Sequence, residues 1–257
     1  MTMPPSALAM SLALGLILAA QQNPPLESIM DRVTRNVQEV ENSLPDHTCK
    51  EKVVKSSALR LAPGMPQSQT TVALLTGRRT TAGNDSYFLA SRQIQSVSGP
   101  GNGMMDLWTS LGDDIARVFA PQNLSSNNYS FDRRQNLRGI PAFVIKFETK
   151  RGMSSQSRGG TLLRRGNPNF TMKGKAWIDS TSMQVLRLEF VEKLPAQLGS
   201  SVLFDMKTVA DYGSVDIAGK TFWLLTKMIK DDRGSQWIAE YSDCRKFEVT
   251  SEIRPAR

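Results

Sequence analysis

Apolar residues near the start of the chain recur at intervals of three and four, after a polar lead-in, QQNPP, at residues 21–25. This spacing places side chains on one face of an α-helix. Pro45 cannot continue a helix, so the pattern predicts an amphipathic helix that ends just before it. The positions that form the apolar face are Leu26, Ile29, Val33, Val37, Val40 and Leu44.

A second helical pattern follows a glycine-rich break, SGPGNG, in the segment MMDLWTSLGDDIARVF at residues 104–119. A helix that lies on a membrane surface would carry Lys and Arg on its polar face, whereas this one carries acidic residues, among them Asp113 and Asp114. We therefore expect a helix that packs on a sheet and leaves those carboxylates in solvent. Its apolar face would contain Met104, Trp108, Leu111, Ile115 and Val118.

Most of the remaining chain alternates apolar and polar residues, the period of a β-strand with one buried face. Short β-prone segments cover residues 50–57, 70–77 and 87–95, and a meander of antiparallel strands is predicted from Asn128 onward. Because helices are few, we expect them to cover the apolar face of one large sheet. Three later segments show the alternation most clearly: Phe143, Ile145 and Phe147; then Leu186, Leu188 and Phe190; then Val202, Phe204, Met206, Ala210 and Tyr212.

The first twenty residues, MTMPPSALAMSLALGLILAA, carry no charge and are almost unbroken in apolar character from Ala7 to Ala20. This is typical of the hydrophobic core of a secretory signal peptide. It is short for a membrane span, which needs about 20 apolar residues, although an uncleaved anchor is the alternative. The sequence thus predicts a signal peptide at 1–20 and a single domain at 21–257, in a periplasmic or secreted protein.

Thirty-two basic residues against 24 acidic residues give a formal net charge of +8. Such a surface can attract anionic lipid, polyanions or nucleic acid, and export disfavours nucleic acid. A soluble basic protein without such a partner is the alternative. One segment, RGMSSQSRGGTLLRR, contains no acidic residue, and its arginines are Arg151, Arg158, Arg164 and Arg165. It predicts a mobile basic loop between strands. The alternative is a segment that contacts an acidic partner or headgroup.

The chain has two cysteines, Cys49 and Cys244. In an oxidising compartment a lone pair usually forms a disulfide, which here would make the first and last strands neighbours or fold one end across the other. In the segment EYSDCRKFEV, plain strand alternation places Cys244 on the polar face with Glu240 and Ser242, opposite Tyr241, unless a bulge intervenes.

No catalytic motif stands out. The chain has no nucleophile elbow, zinc-protease helix, phosphate-binding loop or dinucleotide fingerprint. The single histidine, His47, lies two residues from Cys49, a spacing that does not bring the imidazole and the thiol into position for proton transfer. With one histidine and two cysteines, a zinc site would lack its usual number of ligands. Carboxylate pairs such as Asp231 and Asp232 are expected in solvent. We predict no enzyme, no cofactor and no metal site, with paired-carboxylate catalysis as the third alternative.

Two stretches, GKAWIDSTSMQVLRLEFVEKLP and FDMKTVADYGSVDIAGKTFWL, resemble the outer-membrane lipoprotein-sorting and carrier superfamily (LolA/LolB/RseB-like). In that superfamily a G-x-W-x-D strand, a turn and a V-x-R-x-E strand recur. A looser form occurs here at residues 174–179 and 185–189. The resemblance covers about the C-terminal two thirds of the chain.

The resemblance implies an α+β, mainly β, fold: a strongly curved antiparallel sheet, or incomplete barrel, with two or three helices over its concave face. It also implies a non-catalytic periplasmic binding protein that carries or senses a lipid-like hydrophobic ligand or a lipoprotein, since an apolar cavity favours lipid by about 0.8 kcal/mol per buried methylene. The residues expected on the apolar face are Trp108, Leu111, Phe143, Ile145, Phe147, Leu186, Leu188, Phe190, Val202, Phe204 and Met206.

The alternative function is an envelope interaction module. In that case a sheet edge or the basic loop would dock a protein partner, and peripheral contact with the membrane is possible for either function.

Overall fold

A computed structural model describes residues 24–57, 68–82, 85–99, 113–150, 171–195, 203–232 and 234–248. These residues form three helices and ten strands. In chain order the elements are α1 (Leu26–Ser43), β1 (His47–Ser57), β2 (Ser68–Ala82), β3 (Asp85–Ser98), α2 (Asp113–Phe119), α3 (Pro121–Leu124), β4 (Asn127–Leu137), β5 (Ile140–Thr149), β6 (Thr171–Asp179), β7 (Val185–Pro195), β8 (Leu203–Ile217), β9 (Lys220–Asp232) and β10 (Ser235–Lys246).

All ten strands belong to one antiparallel sheet in the order β3-β2-β1-β10-β9-β8-β7-β6-β5-β4. Strands that are neighbours in the sheet are consecutive in the chain except at the β1–β10 pair, which joins the first strand of the chain to the last. Strands β3 and β4 lie at the two edges, so the sheet does not close on itself. The predicted fold class, mainly β with an incomplete antiparallel barrel, is confirmed.

The sheet is strongly curved around its helices. Helix α1 buries Ile29 and Val33 in one apolar cluster that also contains Val53 of β1 and Phe143 of β5, strands from opposite halves of the sheet. A core to which both halves contribute requires the sheet to bend toward the helices. We call this side the helix-covered face, and the opposite side the outer face.

Helix α1 ends where the sequence predicts. The amide of Leu44 donates to the carbonyl of Val40 at 2.9 Å, and the chain then leaves the helix in extended conformation before Pro45. Midway along the helix, the Asn36 side-chain amide donates to the carbonyls of Ser182 and Met183, both at 3.0 Å. These bonds hold α1 against the turn that joins β6 to β7.

The second predicted helix is described over its last two turns, as α2. Its earlier part, including Trp108 and Leu111, lies outside the described residues. Within α2, Val118 is fully buried in the main cluster and Ile115 packs against that cluster, so this end of the helix lies on the sheet as predicted.

A bulge changes one predicted position on β7. Trp177 pairs with Arg187, but the next residue, Ile178, pairs with Val185, so Leu186 is an extra residue in the ladder. The prediction that Leu186 shares a face with Leu188 and Phe190 is therefore wrong. It packs instead in a small separate cluster on the outer face with Ala142, Val144 and Trp177.

A second bulge moves Cys244. The β1–β10 register shifts between Thr48 and Lys50, and Asp243 adopts a positive φ of 50°. The extra residue brings Cys244 to the side of Cys49 and Tyr241, so plain alternation placed it on the wrong face. A disulfide joins Cys49 to Cys244, as predicted, across the two neighbouring end strands, which lie 195 residues apart in sequence.

Candidate functional site

The helix-covered face carries an unbroken row of residues that crosses the whole sheet. Each member is the register partner of the next, and all but one are apolar. We call this the apolar row. From β3 to β4 it consists of Val97, Thr71, Val53, Ala239, Met228, Ala210, Leu188, Ala176, Ile145 and Phe131.

Small side chains alternate with large ones along the apolar row. Ala239, Ala210 and Ala176 belong to β10, β8 and β6, and all three are fully buried. The larger Met228 and Leu188 stand between them on β9 and β7. An alanine has about three methylene-sized groups fewer than leucine, so the sheet surface is lower at these positions, and other parts of the protein cover them.

Five residues predicted for the apolar face lie on it and are nearly inaccessible: Phe143, Ile145, Phe147, Leu188 and Phe190 expose between 0 and 3% of their surface. Their aromatic members pack together, with the rings of Phe147 and Phe190 6.5 Å apart. Met206 is half-buried. Their role in binding a ligand stays a prediction.

Several predicted positions lie outside the residues that the structure describes, and at one further position only the backbone is described. Trp108, Leu111 and Val202 belong to the first group, and so does the basic loop with Arg151, Arg158, Arg164 and Arg165. The backbone of Phe204 is part of β8, but its side chain is not described.

A second row, two residues further along each strand, is more polar. It runs through Trp237, Lys230, Thr208 and Phe190 on β10 to β7. Lys230 exposes 5% of its surface and Thr208 none. The Thr208 hydroxyl has no hydrogen-bond partner among the described residues. Lys230 and Thr208 thus place buried polar groups in the middle of the helix-covered face, beside the apolar row. A buried polar group usually forms a hydrogen bond.

Helix α2 is held to the sheet by buried ion pairs. Arg117 is fully buried and donates to Glu192 of β7 and, at 3.1 Å, to Asp114 of its own helix. A further nitrogen of Arg117 lies 3.4 Å from the sulfur of Met172 on β6. The prediction that Asp114 lies in solvent is wrong: it is 5% exposed because Arg117 draws it into the core.

Tyr129 of β4 fixes the end of the same helix. Its hydroxyl donates to the carbonyl of Val118, and its ring stacks on Phe119 with centroids 6.2 Å apart. Burial raises the pKa of Tyr129 to about 12, so the hydroxyl stays protonated and available as a donor at neutral pH. The contacts of Arg117 and Tyr129 make α2 a fixed cover over β4, β6 and β7.

The opposite half of the helix-covered face has its own ion pair. Glu51 of β1 is fully buried and accepts two hydrogen bonds from Arg92 of β3, at 2.6 and 3.1 Å. Arg92 is partly exposed near the sheet edge. This bidentate pair ties the edge strand to the core across β2.

His47 lies beside the disulfide on β1. It is buried, and its Nδ1 donates to the carbonyl of Pro45 at 2.9 Å. Gly77 of β2 faces the ring, and a Cβ there would lie 2.7 Å from it, so glycine is needed at this position. Burial lowers the pKa of His47 below its ordinary 6.5. The imidazole is therefore neutral in the folded protein at pH 7.

Within the described ranges, no group of three or more His, Cys, Asp and Glu side chains could hold a metal ion. No helix in the described part of the chain is long and apolar enough to cross a membrane. The buried ionisable groups Glu51, Arg117 and Glu192 are each held in an ion pair. The arrangement is suited to enclosing apolar matter between helices and sheet.

Sequence reasoning placed Ala210 on the apolar face, but it did not single out Ala176 or the Arg117 ion pairs. Ala176 shares its strand alternation with Ile178, and that period could have identified it. Arg117 and Glu192 lie on different elements 75 residues apart. Their pairing depends on tertiary packing, and no local pattern predicts it.

Comparisons with known proteins give structural matches at low identity. Neither a family model nor a curated protein matches the chain. A DUF1329 family protein from Desulfovibrio piger is 13% identical, with a TM-score of 0.47 over 89% of this chain and 96% of the other. A putative outer membrane lipoprotein-sorting protein domain from Vibrio parahaemolyticus is 13% identical, with a TM-score of 0.44 over 88% and 95%.

A LolA superfamily protein from Nitrosomonas europaea is 11% identical, with a TM-score of 0.36 over 86% of this chain and 94% of the other. What this chain binds has to be argued from its own residues, because matches at these identities and TM-scores say nothing of function.

Proposed function

We propose that this chain is an exported, non-catalytic periplasmic binding protein. It carries or senses a lipid-like hydrophobic ligand, either a free lipid or the acyl part of a lipoprotein, between its helices and the helix-covered face of the sheet.

The apolar row carries this proposal. Nine of its ten members are apolar, and alanines at every second strand from β10 to β6 leave the face lower at Ala239, Ala210 and Ala176. An acyl chain that lies along such a row gains free energy for each buried methylene and needs no directed polar partner. Polar groups beside the row, Thr208 and Lys230, would contact the polar end of the ligand.

Native mass spectrometry of protein purified from the exported fraction tests the proposal. Co-purifying species with lipid masses are expected. After delipidation, a fluorescent polyunsaturated fatty acid should bind with an increase in emission, because its chain leaves water. Protein that carries no lipid and does not bind the probe would contradict the proposal.

A matched pair of variants locates the ligand. Ala210→Leu fills a low position in the apolar row, whereas Ala142→Leu makes the same change at an equally buried position on the outer face. Overpacking costs about 1–3 kcal/mol at either site. Both variants should therefore lose similar stability, but only Ala210→Leu should lose probe binding. Equal binding by the two would place the ligand elsewhere.

One observation favours the alternative, an envelope module that docks a protein partner through a sheet edge. Edge strand β3 exposes 49% of Ile94 and 40% of Val97. An exposed edge with apolar side chains can pair with another chain. Ile94→Lys, which leaves the apolar row unchanged, should abolish capture of a defined partner and leave probe binding intact if the alternative holds. Capture that survives this change would exclude the β3 edge.

A further inference from the structure

A groove of about 540 Å³ crosses the outer face from β4 to β8. Its walls are two cross-strand rows of side chains, and the backbone between the rows forms the floor. The rows are about 7 Å apart, two residues along each strand. One wall consists of Asn128, Glu148, Lys173, Val191 and Lys207, and the other of Ser130, Lys146, Lys175 and Glu189.

Gly174 shapes the floor of this groove. A Cβ at this position would lie 2.1 Å from the carbonyl oxygen of Glu189 and 2.6 Å from the Cβ of Phe190, both on β7. Strands β6 and β7 therefore approach more closely here than any other residue would allow. Tyr129, Phe147 and Phe190, whose side chains belong to the helix-covered face, also line the groove between its two walls.

Positive charge exceeds negative charge in the groove. Four lysines line it against two glutamates, Glu148 and Glu189. Glu189 lies 3.5 Å from Arg187, which offsets its charge. The groove is consequently complementary to an anion, although the nearby sheet surface has both signs of charge.

Two of the lysines are held in place by one carboxylate. Lys146 and Lys175 are direct cross-strand neighbours, an arrangement that would normally be repulsive. A bulge in β4 brings Asp132 to both, with Lys146 Nζ at 2.7 Å and Lys175 Nζ at 3.3 Å. The hydrogen bond from Lys146, and then that from Lys175, lowers the pKa of Asp132.

The other two lysines each face a carboxylate across the strand, Glu148 for Lys173 and Asp231 for Lys207. Lys173 and Lys207 form no ion pair among the described residues, and both are exposed. They flank Val191 in the same cross-strand row, so their Cα atoms are about 10 Å apart. Two flexible ammonium groups at this separation can both reach one phosphate between them, above an apolar side chain.

We propose that the groove binds the phosphate headgroup of an anionic phospholipid, so that the outer face rests on an anionic bilayer. Lys173 and Lys207 contact the phosphate, while Lys146 and Lys175, tied to Asp132, form the opposite wall. This site lies on the face opposite the proposed apolar ligand and does not depend on it. A volume of about 540 Å³ is large enough for one headgroup.

Vesicle flotation tests the site. The full chain is mixed with vesicles of equal parts phosphatidylcholine and phosphatidylglycerol, and with vesicles of phosphatidylcholine alone. Wild-type protein should float with the anionic vesicles only. Lys173→Gln/Lys207→Gln should weaken that binding at least about tenfold, since each lysine near an anionic surface contributes separately.

A matched variant controls for net charge. Arg32→Gln/Arg35→Gln removes the same two charges from exposed positions on α1, on the other side of the sheet. It should bind anionic vesicles as the wild type does, apart from a small common loss. Equal weakening in the two double variants, or no wild-type binding to anionic vesicles, would overturn the proposal.

A soluble probe distinguishes the source of the phosphate. Titration calorimetry with sn-glycerol 3-phosphate should show much weaker binding than the vesicles give, because a single headgroup lacks the avidity of a bilayer. Tight binding of this probe that depends on Lys173 and Lys207, without vesicle flotation, would show a site for a small phosphorylated molecule and contradict the membrane assignment.

Discussion

The two faces of the sheet are built from the same strands, yet their chemistry is opposite. Leu188 and Phe190 point into the core, while Glu189 and Val191, their neighbours on β7, wall the outer groove. On the helix-covered face the charges are few, buried and paired, as at Arg117. On the outer face they are many and exposed. A one-residue slip in register would exchange the two sets, so the account of both sites depends on register.

The largest expected effect separates a buried ion pair from an exposed one. Arg117→Ala leaves Glu192 and Asp114 buried without this cation, which usually costs about 3–5 kcal/mol. We expect a large drop in the free energy of unfolding, measured by urea denaturation. Arg133, half exposed and 2.9 Å from Asp132, is the matched control. Its change to Ala should cost at most about 1 kcal/mol. Similar losses would contradict the division between the faces.

The disulfide gives the next effect. It joins Cys49 on the helix-covered face to a strand at the other end of the chain and closes a loop of 195 residues. Replacing both cysteines by serine should lower the free energy of unfolding by about 2–4 kcal/mol, because the unfolded chain regains freedom. Urea denaturation without reductant measures this. A double variant as stable as the wild type would show that the β1–β10 pairing alone joins the two ends.

A smaller effect concerns His47 and pH. Burial lowers its pKa below 6.5, so the unfolded chain binds a proton more readily than the folded one. Its contribution to stability is complete above pH 6.5 and declines as the pH falls toward the lowered value. The urea midpoint of the wild type should therefore decrease below pH 6.5. In His47→Gln, that part of the pH dependence should be absent. Parallel pH profiles for the two proteins would contradict a buried neutral imidazole.

The smallest effect is expected at Asp132 on the outer face. Lys146 and Lys175 lower its pKa, so the ionised carboxylate favours the folded protein above the ordinary pKa of 3.8. This contribution is lost as the pH falls through the lowered value. Asp132→Asn should shift the urea midpoint slightly at pH 7 and not at all in strong acid. A shift as large as that of Arg117→Ala would show that the groove wall is part of the core.

Much of the fold could be predicted from local pattern. The spacing from Leu26 to Leu44 predicted α1, and alternation placed Phe143, Ile145 and Phe147 on the buried face. Both signals are set by the period of the backbone itself. The disulfide predicted for Cys49 and Cys244 left two arrangements, neighbouring end strands or one end folded across the other, and the structure has the first.

Two of the wrong predictions, at Leu186 and Cys244, have one physical origin, the β-bulges. At Leu186 and beside Cys244 one extra residue enters a strand and reverses the alternation that follows. A bulge depends on the partner strand, and the sequence of the bulged strand alone does not reveal it. The error at Asp114 has a different origin: its partner Arg117 lies on the same helix, but Arg117 is buried because it pairs with Glu192 of a distant strand, which local polarity does not reveal.

The lysine groove could not be read from sequence for the same reason. Lys146, Lys173 and Lys207 belong to three strands, and each looks like an ordinary exposed position on its own strand. They converge only through register. The apolar row is likewise a property of ten strands together.

The central claim is that an apolar ligand lies on the helix-covered face, and crosslinking with a photoactivatable fatty acid tests it most directly. A fatty acid with a diazirine at mid-chain is bound, irradiated and mapped by mass spectrometry at single-residue resolution. The account predicts adducts on residues of the apolar row, such as Leu188 and Met228, which excess unlabelled fatty acid removes. Adducts on the intervening outer-face residues Glu189 and Ile229, or none that competition removes, would contradict it.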